Sequence, residues 1–203
     1  IYTVPADALI EQELVARPVI TLRRFWHKEL GAIDAWARTK WATRYAKHVV
    51  RNRDRNQLVV NMVQEAAKTC VVFAKELEHV QVLHKAIEAA GINAVWVDGS
   101  TTTQQRASIV ERVRAGYFDC IVSSKVFEVG VDIPEVASIV IASAGKSTIS
   151  TIQRIGRGMR VTPTKKTFEV WDVFDLTYQA LERQARERIK DYKDAGHEVA
   201  VTD

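Results

Sequence analysis

Eight consecutive residues, Gln153-Arg154-Ile155-Gly156-Arg157-Gly158-Met159-Arg160, set three arginines beside two glycines. A guanidinium stays charged at physiological pH, forks onto two phosphate oxygens and tolerates partial burial, so arginines next to backbone-permissive glycines suit a polyphosphate ligand. The plain alternative is a solvated helical face. Arg157 and Arg160 stand three apart and can share one, but a solvated face mixes in lysine and glutamate at i+4 spacing, and this stretch contains neither. Chemistry on a phosphate anion is the better reading.

A second constellation is Ser123-Ser124-Lys125-Val126-Phe127-Glu128-Val129-Gly130-Val131-Asp132-Ile133-Pro134, which follows the apolar run Cys120–Val122. Hydroxyls at a strand end bond phosphate oxygens, Gly130 permits close backbone approach, and the Asp132 carboxylate can accept hydrogen bonds from ribose hydroxyls. A helix N-cap at Ser124 and a turn before Pro134 would explain the same residues without a ligand, and both readings stand. Gly145-Lys146-Ser147-Thr148 looks like the end of a phosphate-binding P-loop, but the position where that loop needs its first glycine is Val140, within an apolar run. A strand-to-helix turn with Ser147 or Thr148 as N-cap is expected there, which disfavours a phosphotransferase built on Lys146.

The totals bound what these residues can belong to. A chain of 203 residues buries one full core with room for an appendage. There is no apolar run of about 18 residues to span a bilayer and no signal-peptide layout at the start, so a cytosolic protein is expected. Cys70 and Cys120 each sit in an apolar run and read as reduced core residues. The 5 histidines are scattered without ligand spacing, and no metal site is expected. The net charge of +4 is unevenly spread: residues 1–68 carry 12 Lys/Arg against 7 Asp/Glu. The excess concentrates in Arg38, Lys40, Arg44, Lys47, Arg51, Arg53 and Arg55, which face only Asp54 locally. On one helix Lys40, Arg44, Lys47 and Arg51 share a face with Trp41 and Tyr45 alongside. The cations suit nucleic-acid phosphates. The aromatics, with Ala37 and Val49, read as packing onto a sheet.

The elements that must position these groups are βαβ units from Thr69 onward. Cys70–Ala74 reads as a buried strand. A helix follows with Leu77, Val80, Leu83, Ile87 and Ala90 on one face and Gly91 beyond its end. Ala94–Val97 is the second strand and Asp98-Gly99-Ser100 the turn after it. Thr102 with Gln105 forms a capping box opening a helix that carries Ile109, Val110 and Val113 and stops at Gly116. Cys120–Val122, Ser138–Ala142 and Phe168–Val173 bring the total to five parallel strands. Ligands of open α/β sheets gather at the carboxyl ends of the strands, which singles out Lys75, Asp98–Ser100, Ser123–Ser124 and Ser143–Ser147. A C-terminal helix is expected over Leu176–Asp194, with Leu181, Ala185, Ile189 and Tyr192 inward and its charges, including the Glu182–Arg186 pair, outward. Upstream, residues 7–16 read as a short helix, Val19–Phe25 as a strand, Glu29–Arg51 as a long helix, and Asn52–Asn56 as a break before a helix ending near Ala67.

Strand-S-S-x-x-x-x-x-G-V-D-I-P followed about twenty residues on by Q-R-I-G-R-G-M-R resembles motifs V and VI of the superfamily 2 helicases. Val71-Val72-Phe73-Ala74 is similar to motif IV, and Asp98-Gly99-Ser100 with Gln105-Arg106 to the motif between, in matching order from about residue 57 to 175. The likeness is to the bacterial and phage DNA-remodelling members of the RecG and UvsW kind. It implies an α/β RecA-like three-layer sandwich with a mainly parallel sheet over 57–203, preceded by a basic helical and strand lead-in over 1–56 from the inter-domain junction. It implies that Arg157 and Arg160 are arginine fingers reaching the γ-phosphate of ATP on another RecA-like domain, with Gly130, Asp132 and Gln153 near the nucleotide. Ser124 then falls where members touch the nucleic-acid backbone, and Lys75, Gly99, Ser100 and Arg106 lie in turns like backbone-contacting ones.

The chain has no complete P-loop and no D-E-x-x box, so magnesium and the β/γ-phosphates would be held by an N-terminal RecA-like domain. The 203 residues by themselves are then expected to have negligible ATPase activity. The partner is nucleic acid, DNA ahead of RNA, although the shared phosphodiester leaves that choice open. A non-catalytic nucleic-acid-binding module and one half of an RNA helicase are the alternatives.

Overall fold

The computed structural model describes residues 17–27, 40–124, 136–145, 167–176 and 178–203. Among them is a single seven-stranded sheet, all of whose pairings are parallel. The strands are β1 (Arg17–Trp26), β2 (Cys70–Phe73), β3 (Ala94–Val97), β4 (Cys120–Ser123), β5 (Ser138–Ile141), β6 (Thr167–Leu176) and β7 (Val199–Thr202). The described helices are α1 (Trp41–Tyr45), continued by a π-helical turn over Ala46–Val50, α2 (Arg53–Glu65), α3 (Leu77–Ala89), α4 (Thr103–Arg114) and α5 (Gln179–Asp194).

The strand order β3-β4-β2-β5-β6-β1-β7 follows from crossovers that run one way after β2 and the other way after β5. These two strands are neighbours, so the sheet has its topological switch point between them. Helices α2 and α3 cover one face, where Val59, Val63, Val80, Leu83 and Ile87 pack on Val72, Val122 and Val140. Helices α4 and α5 cover the other, where Val113, Ala185 and Tyr192 pack on Val71, Ile121, Ile139 and Val170. This is the expected three-layer α/β/α arrangement. The short central strands are buried on both faces, which explains why their sequences are unbroken apolar runs rather than alternating ones. Cys70 and Cys120 are register partners, both buried and free. The hydrogen bond with Cys70, reinforced by burial, pushes the Cys120 thiol up.

Local chemistry sets the helix ends. Thr102 Oγ1 accepts from Gln105 N at 3.2 Å while Gln105 Oε1 accepts from Thr102 N at 2.8 Å, completing the capping box. Beyond α3 and α4, Gly91 and Gly116 take φ of 80° and 75°, the left-handed geometry that lets the chain leave a helix end.

Several expectations need correction. The sheet has seven described strands, where five from Thr69 onward and one at Val19–Phe25 were expected. β1 was expected as a strand, but its pairing with β6 along all ten residues draws β6 out to Leu176, which pairs with Trp26. That pairing also removes Leu176 from the C-terminal helix, which starts at Gln179. β7 adds to the far side of β1. Leu77 is exposed, being the first residue of α3 and not yet over the sheet. A helix does not run unbroken from residue 29 to Arg51: Lys40 has ψ of 141°, extended, and α1 begins after it. Residues 28–39, with Ala37, lie outside the described residues, as does the helix expected over 7–16. The outward-charge pattern of α5 holds for Glu182 and Arg186, paired at 2.7 Å, but fails at Arg188, which is buried against Asp172.

Candidate functional site

β3, β4, β2 and β5 are consecutive neighbours, so the turns at their carboxyl ends form one row. Gly99 and Ser100 follow β3, Ser124 follows β4 and Lys75 follows β2, which brings these candidates together along about 10 Å of sheet edge at the usual strand spacing. Lys75 is exposed and Ser124 half-buried. Nothing lies within 4 Å of where a Gly99 side chain would begin, leaving the turn open to a close backbone approach. Ser100 turns both donors inward, with N at 2.8 Å and Oγ at 2.6 Å from Asp98 Oδ1. The Ser100 hydroxyl bond holds the Asp98 carboxyl below its ordinary value. Arg106, in the second turn of α4, is half-buried, and its Nε is buried without a hydrogen-bond partner among the described residues. A buried donor of this kind is one that an incoming phosphate could satisfy.

The basic helix arrives at the same edge. Lys40 and Lys47 are exposed, and the Arg44 guanidinium lies 5.9 Å from the centre of the Trp41 ring. Tyr45 and Val49 are buried as expected, but in a cluster with Ala144, Tyr178 and Leu181 beyond the strand ends and not on a face of the sheet, and Trp41 is half-buried beside them. The Tyr45 hydroxyl accepts from Ala144 N, in the turn after β5, at 3.3 Å. Lys75 Nζ sits 5.8 Å over the same ring. Burial is the main cause that raises the Tyr45 phenol above its ordinary pKa.

Two arginines of the basic run are neutralised by partners distant in sequence. Arg51 Nε donates to Glu78 Oε1 at 2.6 Å and Nη2 to Oε2 at 3.0 Å. Arg55, 0% exposed, donates from Nε and Nη2 to the two oxygens of Asp175 at 2.8 and 3.0 Å and from Nη1 to the Ala142 carbonyl at 2.7 Å. The run is thus less basic in space than along the chain. Burial alone would raise the Asp175 carboxyl, but the Arg55 charge and the bonds from His27 and Arg55 hold it well below the carboxylate range.

His27 Nε2 is 3.3 Å from Asp175 Oδ1, and Asn52 Nδ2 is 3.3 Å from His27 Nδ1. The Asn52 amide nitrogen is a donor, which makes Nδ1 the acceptor and Nε2–H the group that faces Asp175. His79 Nε2 lies 3.0 Å from Asn56 Oδ1, and burial, aided by the Arg55 charge, lowers its pKa to about 3. None of these contacts was legible in local spacing, because Arg55 and Asp175 stand 120 positions apart.

The sequence candidates with nucleotide roles, Gly130, Asp132, Gln153, Arg157 and Arg160, lie outside the described residues, as do Lys146, Ser147 and Thr148. Val140, where a P-loop would need glycine, is fully buried within β5.

Residues 54–162 match the family described as the helicase conserved C-terminal domain. The chain belongs to that family. Among curated relatives, the putative helicase 22 of a Sulfolobus islandicus filamentous virus is 30% identical over 58% of this chain. The putative ATP-dependent helicase IRC3 of Saccharomyces cerevisiae is 29% identical over 54% of it. The matches span only 21% and 16% of those relatives' lengths. The crystal structure of T4 UvsW shares the fold over 92% of this chain and 41% of its own, with a TM-score of 0.68 at 20% identity. The architecture is that of a superfamily 2 helicase C-terminal RecA-like domain. The described residues contain no helix long and apolar enough to cross a membrane.

Proposed function

We infer that residues 57–203, with strand β1 contributed by the basic lead-in of 1–56, form the C-terminal motor domain of an ATP-dependent nucleic-acid helicase or translocase, and that DNA is its substrate. The observation that carries this reading is the row formed by Lys75, Gly99, Ser100 and Ser124 along three neighbouring strand ends, with the Arg106 donor and the cations of α1 beside it. Such a row contacts phosphates in sequence and reads no bases, so sequence preference is low. ATP is the nucleotide; its β/γ-phosphates and magnesium are held by an N-terminal RecA-like domain. Arg157 and Arg160 complete the hydrolysis site from this side, and Gly130, Asp132 and Gln153 contact the nucleotide. Closure of the two domains on ATP and reopening after hydrolysis move the strand. The working compartment is the cytoplasm of a prokaryotic or infected host cell.

The decisive experiment is mutation of Arg157 and Arg160 to alanine in a protein carrying both RecA-like domains. Loss of ATPase with retained DNA binding supports the reading; unchanged ATPase overturns it and favours a non-catalytic binding module. The isolated 203-residue chain should show no turnover. Replacing Lys40, Arg44 and Lys47 by glutamine should weaken single-stranded DNA binding and reduce the log–log salt slope by about 2. Competition between DNA and RNA oligonucleotides of one sequence separates the DNA reading from an RNA helicase half.

A further inference from the structure

The turn Ala142–Gly145 leaves β5 and leads along the chain into residues 146–166, which include Arg157 and Arg160. It is held from three elements. Arg55 on α2 donates to the Ala142 carbonyl at 2.7 Å, Arg188 on α5 donates to the Gly145 carbonyl at 3.4 Å, and Ala144 N donates to Tyr45 Oη at 3.3 Å. The two arginines are fixed posts, each anchored on a buried aspartate of β6. Tyr45 is a different kind of contact. It belongs to α1, five residues long, beside the exposed Lys40 and Lys47, and the exposed Lys75 reaches over its ring. Lys75 thus lies over the phenol that touches the turn, and the same short helical segment that carries this phenol also carries Arg44 and Lys47. The place is also the switch point between β2 and β5, where an open parallel sheet receives ligands.

We propose that Tyr45 is a positioning residue: nucleic-acid phosphates bound by Lys40, Arg44, Lys47 and Lys75 fix α1 and tighten the Tyr45–Ala144 hydrogen bond, which sets the turn that feeds the Arg157 and Arg160 segment. The inference rests on the nucleic-acid role assigned above to those cations. At 3.3 Å the bond stands at the long end of the hydrogen-bond range, so it has room to shorten when the helix is held. The Arg55 and Arg188 bonds to the turn come from helices that carry no candidate phosphate ligand.

The test follows the Ala144 amide of the 203-residue chain by NMR hydrogen exchange, with and without a single-stranded oligothymidylate of about 15 nucleotides. In the wild type, saturating oligonucleotide should slow exchange at Ala144 by about fivefold, the worth of one ordinary hydrogen bond. Tyr45→Phe keeps the buried ring and removes the acceptor. Its Ala144 amide should exchange faster in the free protein and stop responding to the oligonucleotide, and by reciprocity its affinity should fall by up to about the same fivefold. A purely structural tyrosine would alter exchange equally with and without ligand. Oligonucleotide binding that leaves wild-type Ala144 exchange unchanged, or an equal response in Tyr45→Phe, overturns this inference alone. Absence of any binding overturns the nucleic-acid reading and takes this inference with it.

Discussion

The sheet carries two buried arginine–aspartate pairs, one on each face, and they are wired differently. Arg188 on α5 meets Asp172 on β6 at 2.7 Å, and the other bonds of the pair are local, with Arg188 Nη2 donating to the Val173 carbonyl and Asp172 accepting from the Tyr192 hydroxyl and from Val173 N, except one long reach of 3.4 Å from Arg188 Nη1 to the Gly145 carbonyl. The Asp172 partners on α5 follow directly along the chain from β6. Arg55 and Asp175 instead draw in Ala142 after β5, His27 after β1 and Asn52 at the cap of α2. One pair mainly fastens a helix to the strand before it, with a single bond to the turn after β5. The other ties segments from four parts of the chain around the carboxyl edge, next to the candidate phosphate row. For Arg188, burial by itself disfavours the charged form, but the facing Asp172 carboxylate overrides it and raises the pKa.

The largest effects should come from breaking either pair. Arg55→Met and Arg188→Met each strand a buried carboxylate, and each should cost about 3–5 kcal/mol in denaturant unfolding. A loss below about 1 kcal/mol at either site would mean that water reaches the aspartate.

Acid comes next, and it acts on the Arg55 side. His79 titrates near 6.5 when unfolded and at about 3 when folded, so between those values the unfolded chain binds the extra proton and stability falls as pH falls. The depressed Asp175 carboxyl stabilises above its unfolded pKa near 4, and that contribution drains away as pH drops through its lower folded value. Urea unfolding from pH 7 to pH 3 should therefore lose a few kcal/mol, roughly, and His79→Gln should flatten the portion above about pH 4.

Double replacements sharpen the contrast. Arg55→Met with Asp175→Leu should regain about 1–3 kcal/mol over Arg55→Met alone. Arg188→Met with Asp172→Leu should regain less, because it leaves two buried donors, the Tyr192 hydroxyl and Val173 N, without their acceptor, where Asp175→Leu leaves one, His27 Nε2–H. Equal recovery would show that the difference in wiring carries no energy. Smaller still is Thr102→Ala, about 1 kcal/mol for the lost N-cap of α4. Least of all is Arg51→Gln, whose exposed pair with Glu78 should leave the thermal midpoint within the scatter of repeated melts.

How much of this was legible in the sequence follows the range over which residues act. The units from β2 through β4 were readable because their signals are local: buried apolar runs, a capping box at Thr102 and Gln105, and glycines beyond two helix ends. The edge turns followed, since parallel strands place their carboxyl ends on one side. The charge run from Arg38 to Arg55 misled in part, because Glu78 and Asp175 neutralise Arg51 and Arg55 from distant positions that no local spacing marks. Arg188 looked like one more solvated charge of α5; only the parity of Asp172 on a strand then expected to stop at Val173 could have hinted otherwise. Val199-Ala200-Val201-Thr202 does carry a strand's composition after the Gly196 turn, and was the missed local signal for β7.

The insertion of β1 between β6 and β7 has a consequence for biosynthesis. Its first paired residues, Arg17 and Thr167, are separated by 150 positions. At ribosomal rates of about 5–20 residues per second, β1 waits roughly 8–30 s after emerging before either of its neighbours exists. A nascent chain with a ten-residue strand idle for that long is a natural client for chaperones, and the sheet can close only once its last two strands have left the exit tunnel.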